Sequence, residues 1–208
     1  QDKWACRSQM RWQKAEEAGK FDKERMPIEI KSKKGMVVFD KDEFPRPSTT
    51  LETLAALPPV FTKDGSITAG NAPGMNDGAS AVVIMSREKA KELGIKPLAT
   101  IIDYAQASRK PKYIATVPGL SIQKLLNKRK LTLEEIDLIE INEAFAAVPL
   151  VSGKILGMDE KTLEEKVNVN GSAIAVGHPI GASGARILMT LIYELQRQKK
   201  KTGIAAIC

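Results

Sequence analysis

From about residue 74 onward the sequence alternates short apolar runs with longer segments of helical periodicity, and this alternation limits the possible folds more than any other feature. "ASAVVIMS" (79–86) is a continuous apolar run rich in Val and Ile, followed by the helical "SREKAKELG", closed by Gly94. "LATIIDYAQAS" (98–108) has strand character and "LSIQKLLNKRK" (120–130) reads as a second helix. "DLIEI" (137–141) is a strand ending at Asn142, and "AAVPLVSGKILG" (146–157) is a helix with Pro149 in its first turn. Beyond it, "KVNVN" (166–170) reads as a strand, and 182–198 as a helix with Leu188, Leu191, Ile192 and Leu195 facing inward. "TGIAAIC" then closes the series as a buried strand. Strands of about four to eight residues separated by helices need crossover connections. Such connections give a mostly parallel central sheet covered by helices, so the expected fold class is layered α/β.

The first part of the chain has a different texture. Its first 45 residues carry 20 charged side chains, well above the 27% of the whole. Residues 1–19 have the helical spacing of Trp4, Ala5, Met10 and Ala15 and stop at Gly19. "IEIKSKKGMVVFD" alternates and turns at Gly35, which predicts a β-hairpin. "TTLETLAAL" (49–57) is a short helix capped by Thr49 or Ser48 and ended by Pro58 and Pro59. Residues up to about 73 thus form a more polar appendage to the α/β part. The first residue already lies inside a helical pattern, which is the expectation for a fragment.

Several function classes are disfavoured by composition. No apolar run approaches the roughly 18–20 residues that cross a bilayer, so no membrane span and no signal peptide are expected. Cys6 and Cys208 stand at opposite ends of the chain and offer no disulfide framework, which points to a reducing compartment and a cytoplasmic location. With one histidine and two distant cysteines, no zinc site is expected. The net charge of +7 is interleaved with 25 acidic residues and only 5% aromatics, so no nucleic-acid partner is expected. The dense basic run at 196–203 falls where a helix ends and complements its dipole. A basic surface also suits a small phosphorylated ligand.

Three polar features follow strand ends: "NEAF" (142–145), "NGSAIAVGHPIGASG" (170–184), and Cys208 at the chain end. Ligands of open α/β sheets collect beyond the carboxyl ends of strands. The only histidine, His178, sits between Gly177 and Pro179 in a glycine-rich loop that lets backbone approach a ligand closely. The glycine spacing is not that of a dinucleotide fingerprint. Each feature also has a plainer reading. His178 can be a turn histidine satisfied by backbone, Cys208 a small buried hydrophobe, and Asn142–Glu143 a helix cap with Glu143 at the positive end.

Taken together, "NEAFAA", "VNVNGSAIAVGHPIGASGARILMTLIYEL" and "GIAAIC" resemble the C-terminal portion of a thiolase of the acetyl-CoA acetyltransferase type. "DEFPRPSTTLETLAALPPVF" and "GSITAGNAPGMNDGASAVVIMS" match upstream in the same order, so the resemblance spans essentially the whole chain. It implies a thiolase fold, with residues 1–74 as most of the inserted loop domain that holds coenzyme A and 75–208 as the C-terminal half without its last strand. By the same match, His178 is the active-site histidine and Cys208 the second catalytic cysteine, which shuttles a proton. Asn142 holds the water that completes an oxyanion hole with the histidine Nε2. Arg46, Leu57, Phe61, Ala69, Ala144 and Phe145 fall where the family contacts coenzyme A, and Pro73 replaces a serine that bonds the pantetheine arm in many members.

The implied activity is condensation of two acetyl-CoA to acetoacetyl-CoA, or cleavage of a 3-ketoacyl-CoA. Coenzyme A thioester is then substrate, with no covalently bound cofactor and no metal. The family's nucleophilic cysteine belongs to an N-terminal half that is absent from this sequence, and Cys6 in its charged helix is no substitute. The expectation is a fragment truncated at both ends, inactive alone, whose partners are acyl-CoA and the missing half. Its parent is expected to be a homodimer or homotetramer of lipid metabolism, cytoplasmic, with mitochondrial or peroxisomal location also open. A non-catalytic acyl-CoA-binding relative is the alternative. A ketoacyl synthase relative is disfavoured, because those enzymes usually carry histidine in place of Cys208.

Overall fold

The computed structural model describes residues 1–33 and 35–208. Its elements in chain order are α1 (Asp2–Glu17), β1 (Ile28–Ser32), β2 (Gly35–Phe39), α2 (Leu51–Ala55), α3 (Arg87–Glu92), α4 (Val117–Arg129), β3 (Leu138–Ile141), α5 (Ala147–Leu156), α6 (Glu160–Lys166), α7 (Ala173–Val176), α8 (Ser183–Arg197) and β4 (Gly203–Ala206). They group into two compact units. One comprises Gln1–Asn76 with Glu143–Ala146 and Val169–His178; the other comprises Asp77–Asn142 with Ala147–Asn168 and Pro179–Cys208.

The first unit is built on α1. Trp4, Ala5, Ser8, Trp12 and Ala15 recur at helical spacing and form its buried face, and the Trp12 ring stacks on Phe21 with centroids 6.3 Å apart. Gly19, in the left-handed region at φ 65°, stops the helix as the sequence requires. Gly171 packs directly on α1, where a Cβ would lie 2.9 Å from the Trp12 amide nitrogen, so only glycine fits. Glu143 is fully buried beside this helix. Its Oε1 accepts from Trp4 Nε1 at 2.8 Å, and its Oε2 accepts from Ser8 Oγ at 2.7 Å and from the Ile174 amide at 3.1 Å. The helix-cap reading of Glu143 is thereby replaced, because α5 begins only at Ala147. The expected hairpin is present as the antiparallel pair β1–β2, with Ile28 opposite Phe39 and Ile30 opposite Val37. The α2 cap is Thr50, in a reciprocal pair with Thr53, and not Thr49 or Ser48.

The second unit centres on β3, all four residues of which are buried, paired in parallel with β4 from Leu138 opposite Gly203 to Ile141 opposite Ala206. Two side chains complete the pairing. The Asp137 carboxylate accepts the Lys201 and Thr202 amides, each at 2.9 Å, which fixes the entry to β4. On the other edge of β3, Asn168 bonds the Ile141 peptide twice, accepting its N–H and donating to its C=O, both at 2.8 Å. Asn168 thus acts as a one-residue strand, in a left-handed conformation (φ 46°) that asparagine tolerates. The buried face of α8 runs through Ile187, Thr190, Leu191 and Glu194; of the four residues expected to face inward, Leu191 is buried while Leu188, Ile192 and Leu195 are half-buried. Helix α6, capped by Asp159, is an element the periodicity did not reveal.

The expected central sheet is reduced to the β3–β4 pair among the described residues. Segments 79–86 and 98–108 form no ladder, and "KVNVN" contributes only isolated bridges at Val167 and Val169, Lys166 being the end of α6. The physical reason is that a β-branched apolar run has the capacity to be a strand, but a ladder also needs a neighbour for its N–H and C=O groups. Both segments instead leave large apolar side chains exposed, among them Val83, Ile84, Ile101 and Ile102.

Candidate active site

Asn142 and Cys208 come together through the strand pairing. Asn142 is the first residue beyond β3, and its amide donates to the Ala206 carbonyl at 2.9 Å; Cys208 lies two residues past the end of β4. Both therefore stand at the carboxyl end of the same parallel pair. Asn142 is fully buried, and Arg186 Nη2 from α8 donates to its Oδ1 at 3.3 Å. That contact orients the carboxamide, with its oxygen turned to the guanidinium and its NH2 group turned the other way. Cys208 is half-buried, and burial pushes its thiol above the ordinary cysteine value, only partly offset by a backbone hydrogen bond. A thiol in this setting keeps its proton at neutral pH.

His178 belongs to the other unit. It follows α7 and Gly177, whose φ of 91° is open to glycine and whose missing Cβ leaves room for the Asn76 carboxamide. Asn76 Oδ1 accepts the His178 amide at 3.3 Å. The half-buried imidazole is thus borne on a loop whose backbone is gripped by a side chain from residue 76.

The six residues matched to coenzyme A contacts all fall in this first unit. Phe61 and Phe145 meet edge to face with centroids 6.0 Å apart, Phe61 being exposed and Phe145 half-buried beside Ala144. Leu57 lies against the turn that bears Ala69, since a Cβ on Gly70 would come 2.6 Å from Leu57 Cδ1. Arg46 is exposed, its amide held by Gln9 Oε1 at 2.9 Å and its guanidinium 5.9 Å from the Phe44 ring. Leu57, Phe61 and Ala69 are thus exposed apolar side chains and Arg46 an exposed cation, the kinds of group that suit a ligand having both an apolar arm and phosphates. Cys6 lies in α1, where its Sγ is 3.8 Å from the Thr49 carbonyl. Among the described residues no group of three or more His, Cys, Asp or Glu could hold a metal ion, and no helix is long and apolar enough to cross a membrane.

Sequence reasoning missed the partners that set these groups. Arg186 and Asn168 stand in the quoted motifs, but their bonds to Asn142 and Ile141 span 44 and 27 residues and leave no periodic trace. The one available signal for Asn168 is its residue type, which favours the left-handed conformation it adopts.

A parallel strand pair with polar residues at its carboxyl end makes this an α/β site, and the solved structures that the chain superimposes on make its fold the thiolase fold. The solved structure of Bacillus anthracis acetyl-CoA acetyltransferase superimposes with a TM-score of 0.94 at 51% identity, covering 100% of this chain and 52% of that one. That of human mitochondrial 3-ketoacyl-CoA thiolase gives 0.93 at 46% identity, covering 100% and 51%. The family model of the thiolase C-terminal domain matches residues 95–208 and that of the thiolase N-terminal domain matches residues 1–88, so the chain belongs to the thiolase family. The likeness is therefore not confined to a C-terminal portion, as the motifs alone had implied. The acetyl-CoA acetyltransferase of Syntrophomonas wolfei is 52% identical over 208 residues, all of this chain and 52% of the relative. The chain spans about half the length of the curated relatives it matches.

Proposed function

We propose that this chain is the part of an acetyl-CoA acetyltransferase that binds coenzyme A and supplies the proton shuttle and oxyanion donors for condensing two acetyl-CoA or cleaving a 3-ketoacyl-CoA. The main support is the parallel pairing of β3 with β4, which brings Asn142 and the half-buried thiol of Cys208 to one strand end. In the cleavage direction, the departing acetyl-CoA enolate takes its proton at carbon from the Cys208 thiol, which burial keeps protonated. In the synthetic direction the coenzyme A thiolate expelled by acylation of the partner cysteine first takes the Cys208 proton, and the resulting Cys208 thiolate then removes the α-proton of the second acetyl-CoA. His178 Nε2 and a water held by the Asn142 carboxamide donate to the thioester oxygen while it carries negative charge. Each such donor is worth about 3 kcal/mol of barrier.

Residues 1–74 serve as the loop domain, where Phe61, Leu57 and Ala69, joined by Ala144 and Phe145 from the segment after β3, receive the pantetheine arm and Arg46 the phosphates. Pro73 offers no hydroxyl to that arm, so the apolar contacts carry more of its binding. The acyl-carrying thiol comes from a partner half with the family's nucleophilic cysteine, because Cys6 sits in a charged helix with its Sγ turned to the Thr49 carbonyl.

Titration of the chain with coenzyme A by calorimetry tests the reading. Binding is expected, weakened at least several-fold by Arg46→Ala and by Phe61→Ala. Mixing with acetyl-CoA is expected to give no acetyl-protein by mass spectrometry. Absence of coenzyme A binding, or an acetyl adduct formed by the chain alone, overturns it. Binding that persists when a thiolase N-terminal half is added, yet without any turnover, selects the non-catalytic acyl-CoA-binding alternative.

A further inference from the structure

We infer that Glu143 is the positioning residue for His178, fastening the loop that bears the imidazole to α1. The inference rests on His178 acting as the oxyanion donor proposed above, and it names what holds that donor still. Helix α7 has a single turn, Ala173–Val176, too short to hold its own shape in water. Its order must come from outside, and two of the bonds that supply it lead to one carboxylate. Glu143 Oε2 accepts the Ile174 amide, while Gln9 Nε2 donates to the Ile174 carbonyl at 3.0 Å, so this peptide is held on both sides. Ser8 Oγ donates to the same carboxylate oxygen and accepts the Ser172 amide at 3.0 Å, which ties the residue before the turn as well. Trp4 Nε1 on Oε1 then locks the carboxylate against α1. At the far end of the turn, Gly177 donates to Ala173 at 2.7 Å and Asn76 takes the His178 amide. The backbone from 172 to 178 is thus clamped at both ends, and the upstream clamp is Glu143.

Trp4, Ser8 and Ile174 all donate to Glu143, and only a carboxylate accepts from all of them. A glutamine offers one oxygen and an NH2 group, so either the Trp4 indole or the Ser8–Ile174 pair would face another donor. Glu143→Gln therefore conserves shape while breaking the clamp.

The chain's single histidine makes the test direct, because every imidazole signal in its NMR spectrum is His178. In the 208-residue chain, Glu143→Gln is expected to shift or split the ring 1H–15N correlations. Amide exchange at Ile174, Gly177 and His178 is expected to quicken at least tenfold, with Ile122 and Leu126 of α4 unchanged. Trp4→Phe, which removes one donor and keeps the carboxylate, should move the same signals the same way by less, and it decides the matter if Glu143→Gln does not fold. Unchanged ring signals in the folded variant, or exchange that rises equally in α4, overturn the inference. No turnover enters the measurement. A His178 found idle in catalysis would refute the functional reading and leave the dependence of its ring on Glu143 visible, so the two failures stay distinct.

Discussion

Burial acts on Cys208 through the cost of solvating a thiolate poorly, and the sign of its effect is fixed. The thiol lies above its ordinary value in the folded chain, so the folded state holds the proton to higher pH than the unfolded one. Its contribution to stability is complete below the ordinary cysteine value and is lost as pH rises through the raised one. The expected result is that iodoacetamide labels Cys208 with a pH midpoint above that of the same residue in urea, read by mass spectrometry of the C-terminal peptide. A midpoint equal to that in urea would remove the reason for treating this thiol as a proton donor. At this scale the sequence revealed residue types and left their settings open. His178 and Asn142 stood out because they flank glycines or end a strand. The roles of Glu143 and Arg186 were hidden, since a buried carboxylate with its donors and a guanidinium on an amide oxygen are made by pairings distant in the chain.

Elements with local causes were the legible ones. Helix α1 with its Gly19 stop, the β1–β2 hairpin and α3 with its Gly94 stop depend on neighbours within a few residues, and the sequence pattern reports such neighbours. Segments 79–86 and 98–108 have strand composition but no ladder, because composition does not say where a pairing partner lies. The end of β3 combines both situations. Its outer edge is satisfied by the Asn168 side chain, which stands in for a strand that periodicity had placed at 166–170. Asn168→Ala should leave the buried Ile141 N–H and C=O unpaired and impose a left-handed φ on alanine. Two lost bonds to buried groups and that strain together give a destabilisation of about 3 kcal/mol. Asn168→Gly removes the bonds and not the strain tolerance, so it should cost about 1 kcal/mol less. Urea denaturation followed by circular dichroism measures both, and equal losses in the two variants would show that the conformation contributes nothing.

The surface area of the whole molecule sets the last constraint. A self-contained folded protein of this mass would expose about 9,500 Å², and two separate domains of half the mass about 11,500 Å² together. This chain exposes 13413 Å², more than either. The excess over two free domains shows that it does not depend on how the units are arranged. The segments that lack ladder partners contribute apolar side chains to it: Val83 is 86% exposed, Ile84 69% and Ile102 67%. Patches of this kind mark contact surfaces for protein, membrane or ligand, or aggregation liabilities. By itself, then, the chain should self-associate as its concentration rises through the micromolar range, with sedimentation velocity showing a rising mean coefficient and a fluorescent apolar dye binding in proportion. Val83→Lys combined with Ile102→Lys should suppress both signals and leave coenzyme A binding intact, because neither position belongs to the unit that carries Arg46 and Phe61. Adding a thiolase N-terminal half should suppress them in the unsubstituted chain. A chain that stays monomeric and dye-free throughout would mean that segments 79–86 and 98–108 find cover within its own 208 residues, and the case for a partner half would lose its physical basis.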